Sequence, residues 1–354
     1  MVNRVLIITS GGSQLLTQIT VIKNEMNINE VEIFILYNGV FRQSLEVYFN
    51  EVALFYRCKY LGQINFDISP EQIEIKNLLK DLRYKKFWNL NHFIESKFPE
   101  LKNLRKMDIL IIPIRVKMFS DIVLLSFLKP KKTLYTVDGI VDELPERNFN
   151  KLNFFYLKSN LKKLPLNSSV FSPIYLENDC NRIGMCKVID LSPILKELTV
   201  LSIVKKLKEK YLLTKVDYII FSQHYSLSEN VNFDNEIEFY KRIITKVCVL
   251  KVNTRILFKP HPRDTKEKID AIKKSDVNNV VVIDDFFQSV PVEFFIDEFI
   301  MMNSIFITGN SSAPLCFQNK DKILSVFSSE LLSESLNLKI TDFAIFNNLK
   351  LIEI

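Results

Sequence analysis

Between Phe258 and Asp264 the chain reads Phe-Lys-Pro-His-Pro-Arg-Asp, directly after Arg255-Ile256-Leu257. This pattern predicts a buried strand that ends in a stiff cationic loop. His261 stands between Pro260 and Pro262, which fix φ and leave the backbone little freedom. Lys259 and Arg263 flank it. An imidazole held between two fixed positive charges suits an anionic ligand, above all a phosphate. Neighbouring positive charge lowers the affinity of the imidazole for a proton until such an anion restores it, so protonation is expected to couple to binding. A histidine coupled in this way can donate a proton to a phosphate leaving group.

Fifty residues after His261 comes Thr308-Gly309-Asn310-Ser311-Ser312-Ala313-Pro314, a second strand end opening into a hydroxyl-rich turn. Two hydroxyls and adjacent backbone N–H groups after a glycine form a small anion nest, especially if a helix begins at Pro314. The competing reading is a helix cap with no ligand. Further polar groups follow other expected strands: Ser222-Gln223-His224 in the second half, and Ser10-Gly11-Gly12-Ser13-Gln14 and Asp138-Gly139 in the first. Asp138 closes Leu134-Tyr135-Thr136-Val137. It is read either as a turn residue or as a carboxylate held where a substrate comes close, suited to act as general base on an acceptor hydroxyl.

The elements that must position these groups follow from periodicity. Val5–Thr9, Val31–Tyr37, Asp108–Ile114 and Thr133–Val137 are short, β-branched or aromatic runs bounded by turn residues, and predict strands. Residues 14–26, 69–84 and 121–127 carry helical spacing between them. A second series, Val216–Ser222, Arg255–Lys259, Asn279–Ile283, Ile305–Thr308 and Lys322–Val326, restarts the rhythm, with a helix over 236–249. Strands separated by helices imply βαβ units and parallel sheets. Between about 145 and 215 the rhythm fades, and a lysine-rich helical stretch runs from Leu195 to Leu212. The expected fold is therefore α/β, with two Rossmann-like lobes facing an inter-domain cleft. The divisions are a first α/β domain over 1–195, a connector helix over 196–215 and a second α/β domain over 216–354. Ligands of such sheets bind beyond the carboxyl ends of the strands.

Composition narrows the partners. With 47 Lys and Arg against 41 Asp and Glu, the 354-residue chain carries a formal charge of +6. Residues 76–106 hold nine basic and three acidic side chains, and residues 151–163 hold four lysines and no acid. That excess, with no recognised motif, is too small for a dedicated nucleic-acid binder. It is compatible with peripheral contact at the inner membrane face, and a homodimer stays open. Five cysteines without a CxxC pair and three scattered histidines give no zinc framework. The expected location is cytoplasmic, with no leader peptide and no membrane span. There is no D-x-D, so no metal is expected. The absence of G-x-G-x-x-G, G-x-x-x-x-G-K-[ST] and G-x-S-x-G argues against a dinucleotide enzyme, a P-loop NTPase and a serine esterase.

The ordered set of Asp138-Gly139, His261-Pro262 and Ser311-Ser312 resembles the bacterial sialyltransferases. These are two-lobed GT-B enzymes using CMP-sialic acid, among them lipooligosaccharide and capsular polysaccharide enzymes. Phe221 to Glu229 is similar to that family's first nucleotide-domain strand and loop. The family pattern carries two acids before the glycine, and here Val137 stands at the first of them. The resemblance implies an inverting glycosyltransferase with CMP-sialic acid as donor, no cofactor, and a terminal galactose of a surface glycan as acceptor. Asp138 is the implied base, with Asp234 the alternative, and His261 the acid. Gly12, Gln14, Gly139, Gln223, Lys259, Pro262, Arg263, Gly309, Asn310, Ser311 and Ser312 are the implied binding residues. Two other readings stand beside it. One is a transferase for a hexose or CDP-polyol donor on the same scaffold; the other is a non-catalytic member of a glycan-assembly complex.

Overall fold

The structure, a computed structural model, describes residues 2–39, 41–66, 88–113, 119–137, 170–173, 176, 186–229, 231–250, 253–274, 279–317 and 319–354. The chain divides into two compact units, Met1–Arg42 with Phe49–Ile194, and Gln43–Tyr48 with Leu195–Ile354. Asp138, Gly139 and the helix expected over 69–84 lie outside the described residues.

The first unit is built on a seven-stranded sheet of β1 (Asn3–Thr9), β2 (Val31–Asn38), β3 (Lys59–Ile64), β4 (Ile109–Pro113), β5 (Lys132–Thr136), β6 (Val170–Pro173) and β7 (Cys186–Ile189). Its order is β3-β2-β1-β4-β5-β6-β7, and every described strand pair is parallel. Val5, Leu6, Ile7 and Ile8 are at most 1% exposed, because helices cover both faces of such a sheet and an uninterrupted apolar run is what it requires. Strands β3, β6 and β7 escaped the sequence reading. Strand β3 contains Gly62 at φ +102°, within a stretch where three residue steps oppose two on β2, a bulge that only glycine accommodates cheaply.

The second unit carries six parallel strands: β8 (Tyr218–Phe221), β9 (Ile256–Lys259), β10 (Val280–Val282), β11 (Ile305–Thr308), β12 (Ile323–Phe327) and β13 (Lys350–Glu353). Their order is β10-β9-β8-β11-β12-β13. Strand β9 is sealed on both faces, with Ile256, Leu257 and Phe258 at most 1% exposed. Each such side chain contributes roughly 1.5–3 kcal/mol by burial. Both sheets share one winding, with the first strand inside and the chain reversing direction across it, so the architecture is two Rossmann-like units. The strands expected near 218, 256, 280, 305 and 323 are all present.

The expected single helix over 195–212 is two, Ser192–Leu198 and Ser202–Tyr211. The second buries Ile203, Val204, Leu207 and Tyr211 on one face and turns its lysines outward, the ordinary amphipathic solution. Among the described residues no helix is long and apolar enough to cross a membrane.

Candidate functional site

In the second sheet the order reverses between β8 and β11, and β9 lies on the other side of β8. The loops after these three strands therefore meet at one edge, with the ends of β9 and β11 about 10 Å apart, two strand spacings. They are the Ser222-Gln223-His224 loop, the Pro260-His261-Pro262-Arg263-Asp264 loop and the Gly309-Asn310-Ser311-Ser312 loop. Ligands of doubly wound sheets bind at such a reversal, beyond the carboxyl ends of the strands.

The middle loop ties the other two together. On one side the His224 ring lies 4.2 Å from the His261 ring, centroid to centroid, tilted by 31°. On the other, the Tyr225 hydroxyl donates to Asn310 Oδ1 at 3.2 Å. A side chain at Gly309 would place its Cβ 1.9 Å from that hydroxyl, so glycine here makes room for a buried tyrosine. His224 was noted in the sequence only as part of a polar strand end, and it belongs to the site as closely as His261 does. Its signal was the placement three residues beyond Phe221, at the carboxyl edge of the strand neighbouring β9.

His261 is fixed from several directions. Its backbone N–H donates to Asp264 Oδ2 at 2.8 Å, and Gln288 Nε2 donates to its carbonyl. The Arg263 N–H donates to Nδ1 at 3.1 Å. With Nδ1 an acceptor, the proton of the neutral ring sits on Nε2, which is left to donate to a ligand. Burial, then the His224 ring and the Arg263 and Lys268 charges, hold the His261 imidazole well below its ordinary range. Burial, followed by Arg263 and Lys268, takes His224 from 6.5 to about 4, against the opposing pull of Glu236 and Glu229. Both rings are therefore neutral at pH 7 without an anion beside them.

The two cations expected to flank His261 part company. Arg263 is exposed. Lys259 is 8% exposed and donates to the carbonyl oxygens of Gln288 and, at 3.5 Å, Pro260; burial lowers it to about 8. Its ammonium thus braces the loop from below, and Arg263 is the cation presented at the surface. Pro262 is partly buried between them. Gln223 donates its backbone N–H to the Tyr240 hydroxyl at 2.7 Å.

In the third loop, the Ser311 N–H donates to Thr308 Oγ1 at 2.8 Å and the Ser311 hydroxyl accepts from Ala313 N at 3.3 Å. Ser311 is buried and Ser312 partly exposed. Pro314 lies in a single four-residue 3-10 turn, Ala313–Cys316, and Ser312 provides no side-chain cap to it. The Ser311 hydroxyl thus takes a ligand-free, cap-like role on the first N–H of this turn while Ser312 caps nothing, and the longer helix that would have strengthened an anion nest is not formed.

Gly12 opens the first-unit helix Gly12–Glu25, and Gln14 accepts from the Ser10 N–H at 2.8 Å and the Ser10 hydroxyl at 2.7 Å. Asp234 is exposed in the first turn of the helix Phe233–Leu250, its N–H donating to Asn232 Oδ1 at 2.8 Å.

Two predictions follow from this geometry. Because the unfolded chain binds protons at His224 below pH 6.5 and the folded chain does so only near 4, stability is complete above 6.5 and falls as pH drops toward 4. The partly solvated ring is screened, so the loss attributable to His224 is well below the roughly 3.4 kcal/mol that the full shift would carry, and His261 adds to it in the same direction. Melting curves between pH 7 and 4.5 should show a steeper acid decline in the wild type than in His224→Gln; superimposable profiles would contradict the assignment. Separately, Gly309→Ala should cost about 1–3 kcal/mol by overpacking against Tyr225. In a Tyr225→Phe background most of that cost should vanish, and strict additivity in the double-mutant cycle would refute the contact.

The chain matches solved structures at low identity, and these show the fold. The UDP-GlcNAc 2-epimerase from Neisseria meningitidis bound to UDP-GlcNAc aligns with a TM-score of 0.52 at 12% identity, over 97% of this chain and 93% of that one. The S. aureus MnaA-UDP co-structure aligns with a TM-score of 0.51 at 11% identity, over 97% and 88%. Arabidopsis thaliana UGT89C1 complexed with UDP-L-rhamnose aligns with a TM-score of 0.51 at 9% identity, over 100% and 86%. No curated protein matches by sequence. The family described as alpha-2,8-polysialyltransferase (POLYST) matches residues 92–313, a span that includes the His224, His261 and Ser311-Ser312 loops. The protein is a glycosyltransferase-type enzyme on a GT-B-like scaffold, and the chain belongs to the alpha-2,8-polysialyltransferase family.

Proposed function

We propose that the protein transfers sialic acid from CMP-sialic acid to a sugar hydroxyl of a bacterial surface glycan, with inversion and without a metal. The observation that carries this reading is the convergence of His224, His261, Arg263 and the Ser311-Ser312 turn at the reversal point of the second sheet. Family membership supports the donor.

In this mechanism the donor phosphate is held by the Arg263 guanidinium, the Ser311 and Ser312 hydroxyls and the His261 Nε2–H. The acceptor oxygen attacks the anomeric carbon, and the bond from that carbon to the phosphate oxygen breaks. The acceptor proton passes to a carboxylate, for which Asp138, next but one after β5 in sequence, is the first assignment and Asp234 the alternative. The departing phosphate goes from monoanion to dianion, so the hydrogen bond from His261 strengthens as the reaction proceeds, which is the condition for catalysis. Lys259 acts here through the loop it braces. Gln14 and Gly12 are assigned to the acceptor.

A mass-spectrometric transfer assay tests the reading. CMP-sialic acid is offered with a lactose-terminated and a sialyllactose-terminated acceptor, since the resemblance noted in the sequence implies galactose and the matched family's name implies sialic acid. Product is expected with CMP-sialic acid, undiminished by chelator, and absent with CDP- or UDP-linked donors. Transfer from one of those donors instead, or activity abolished by chelator, would overturn it.

A further inference from the structure

Behind the three loops lies a group of ionisable side chains that the proposed mechanism does not use. Lys268 sits on the helix Lys266–Lys273, whose first turn is capped by Thr265 and whose buried face is Lys268, Ile269 and Ile272. A lysine at a core-facing position is unusual, and this one is 2% exposed. Its ammonium donates to Glu236 Oε1, to the Gln223 carbonyl and, at 2.9 Å, to Asp264 Oδ1. It also lies 4.6 Å from the centre of the Tyr240 ring. All three of its N–H donors have an acceptor.

Each of those acceptors holds part of the site. Glu236, fully buried, accepts the Tyr225 N–H at 3.2 Å on Oε1 and the Ser226 N–H at 2.8 Å on Oε2. It thereby fixes the chain directly after His224. Asp264, 2% exposed, accepts the His261 N–H at 2.8 Å on its other oxygen. The Gln223 carbonyl belongs to the peptide that leads into His224. One ammonium thus reaches the backbone on both sides of one histidine and, through a single carboxylate, the backbone of the other. As a source of stability such a cluster is poor, because desolvating three ionisable groups cancels most of their mutual attraction and apolar side chains would fill the space as well. What apolar side chains would not supply is a fixed distance between the two histidine loops.

We propose that Lys268 is a positioning residue: with Glu236 and Asp264 it sets the contact between the His224 and His261 rings, and so the attitude of Nε2 toward the ligand. The activity arm of the test rests on the sialyl transfer proposed above; the ring-contact arm does not.

The chain has three histidines, which makes the pair readable by NMR in histidine-labelled protein. The wild type should show a cross-relaxation peak between the His224 and His261 rings without any substrate. The charge-balanced variant Lys268→Met with Glu236→Gln should fold, by circular dichroism and thermal melting, yet lose that peak. Its kcat with CMP-sialic acid should fall about 100-fold, the order expected when a reacting group is displaced by an ångström, with donor KM changing much less. A folded double variant that keeps the ring contact at wild-type strength, or a kcat within twofold of wild type, overturns the proposal. Should the double variant not fold, Glu236→Gln alone decides: the ring peak must weaken, and an unchanged peak counts against the role. A protein that loses the ring contact but never transfers sialic acid would sink the donor assignment and leave the positioning role standing.

Discussion

Replacing His261 with alanine is expected to lower turnover with CMP-sialic acid by about 10²- to 10⁴-fold, the span that a positioned acid–base group contributes. The argument rests on what the substitution leaves in place. The loop is held by backbone and side-chain contacts that do not pass through the imidazole: Lys259 donates to the Pro260 carbonyl, Gln288 to the His261 carbonyl, and Asp264 accepts the His261 N–H. Only the bond from the Arg263 N–H to Nδ1 and the ring contact with His224 disappear. The fold should therefore survive, and the melting temperature should move by no more than a few degrees. Donor binding should weaken less than turnover falls, because the bond from Nε2 matters most when the phosphate gains charge. Steady-state kinetics by mass spectrometry check both parts. Turnover unchanged in a folded His261→Ala protein would remove His261 from the mechanism.

Lys268→Met alone is expected to destabilise the protein by about 3–5 kcal/mol, the cost of leaving buried carboxylates without their cation. Glu236 and Asp264 are both buried, and Lys268 is the cation paired with each. Burial already raises the Asp264 carboxyl above its ordinary range with the lysine present. Without the lysine, which opposes that rise, the Asp264 carboxyl moves further up. A group whose folded value is raised keeps its stability below the unfolded value and loses it as pH rises, so the deficit should be smaller at pH 5 than at pH 8. Adding Glu236→Gln should recover much of the loss. Urea denaturation of the three proteins at both pH values measures this, and a deficit that grows toward low pH would contradict the burial argument.

How much of this was legible depended on whether the signal was local. Val5 to Ile8 and Ile256 to Phe258 announce buried parallel strands because both faces are covered and every position must be apolar. Strands β7 and β13, each four residues long at a sheet edge, carry lysines and a half-exposed face, and nothing in Cys-Lys-Val-Ile or Lys-Leu-Ile-Glu separates them from loop. The three loops of the site were found as polar strand ends. That they share one edge follows from the strand order, which depends on crossovers that no short stretch encodes. The role of Lys268 was hidden for a similar reason. It stands among Lys266, Glu267 and Lys273, all of which face solvent or its margin, and a charged run is usually a solvated face. The available clue was its register: Lys268 falls four residues after Asp264 and shares a face with Ile269 and Ile272. Lys259 shows the converse. A cation beside His261 looked like a ligand contact, but as the last residue of a fully buried strand it turns inward, to carbonyl oxygens.

The most direct test of the account is an NMR titration of the three histidines with CMP. His224 and His261 stand at the edge where the phosphate is placed, while His92 is exposed on the first-unit helix Trp88–Lys97 and serves as reference. On saturation with CMP, the ring signals of His224 and His261 should shift. The His261 pKa should rise as the phosphate dianion offsets burial and the nearby cations, and His92 should stay where it was. Saturation with CMP that leaves His224 and His261 unmoved, in signal and in titration, would contradict it.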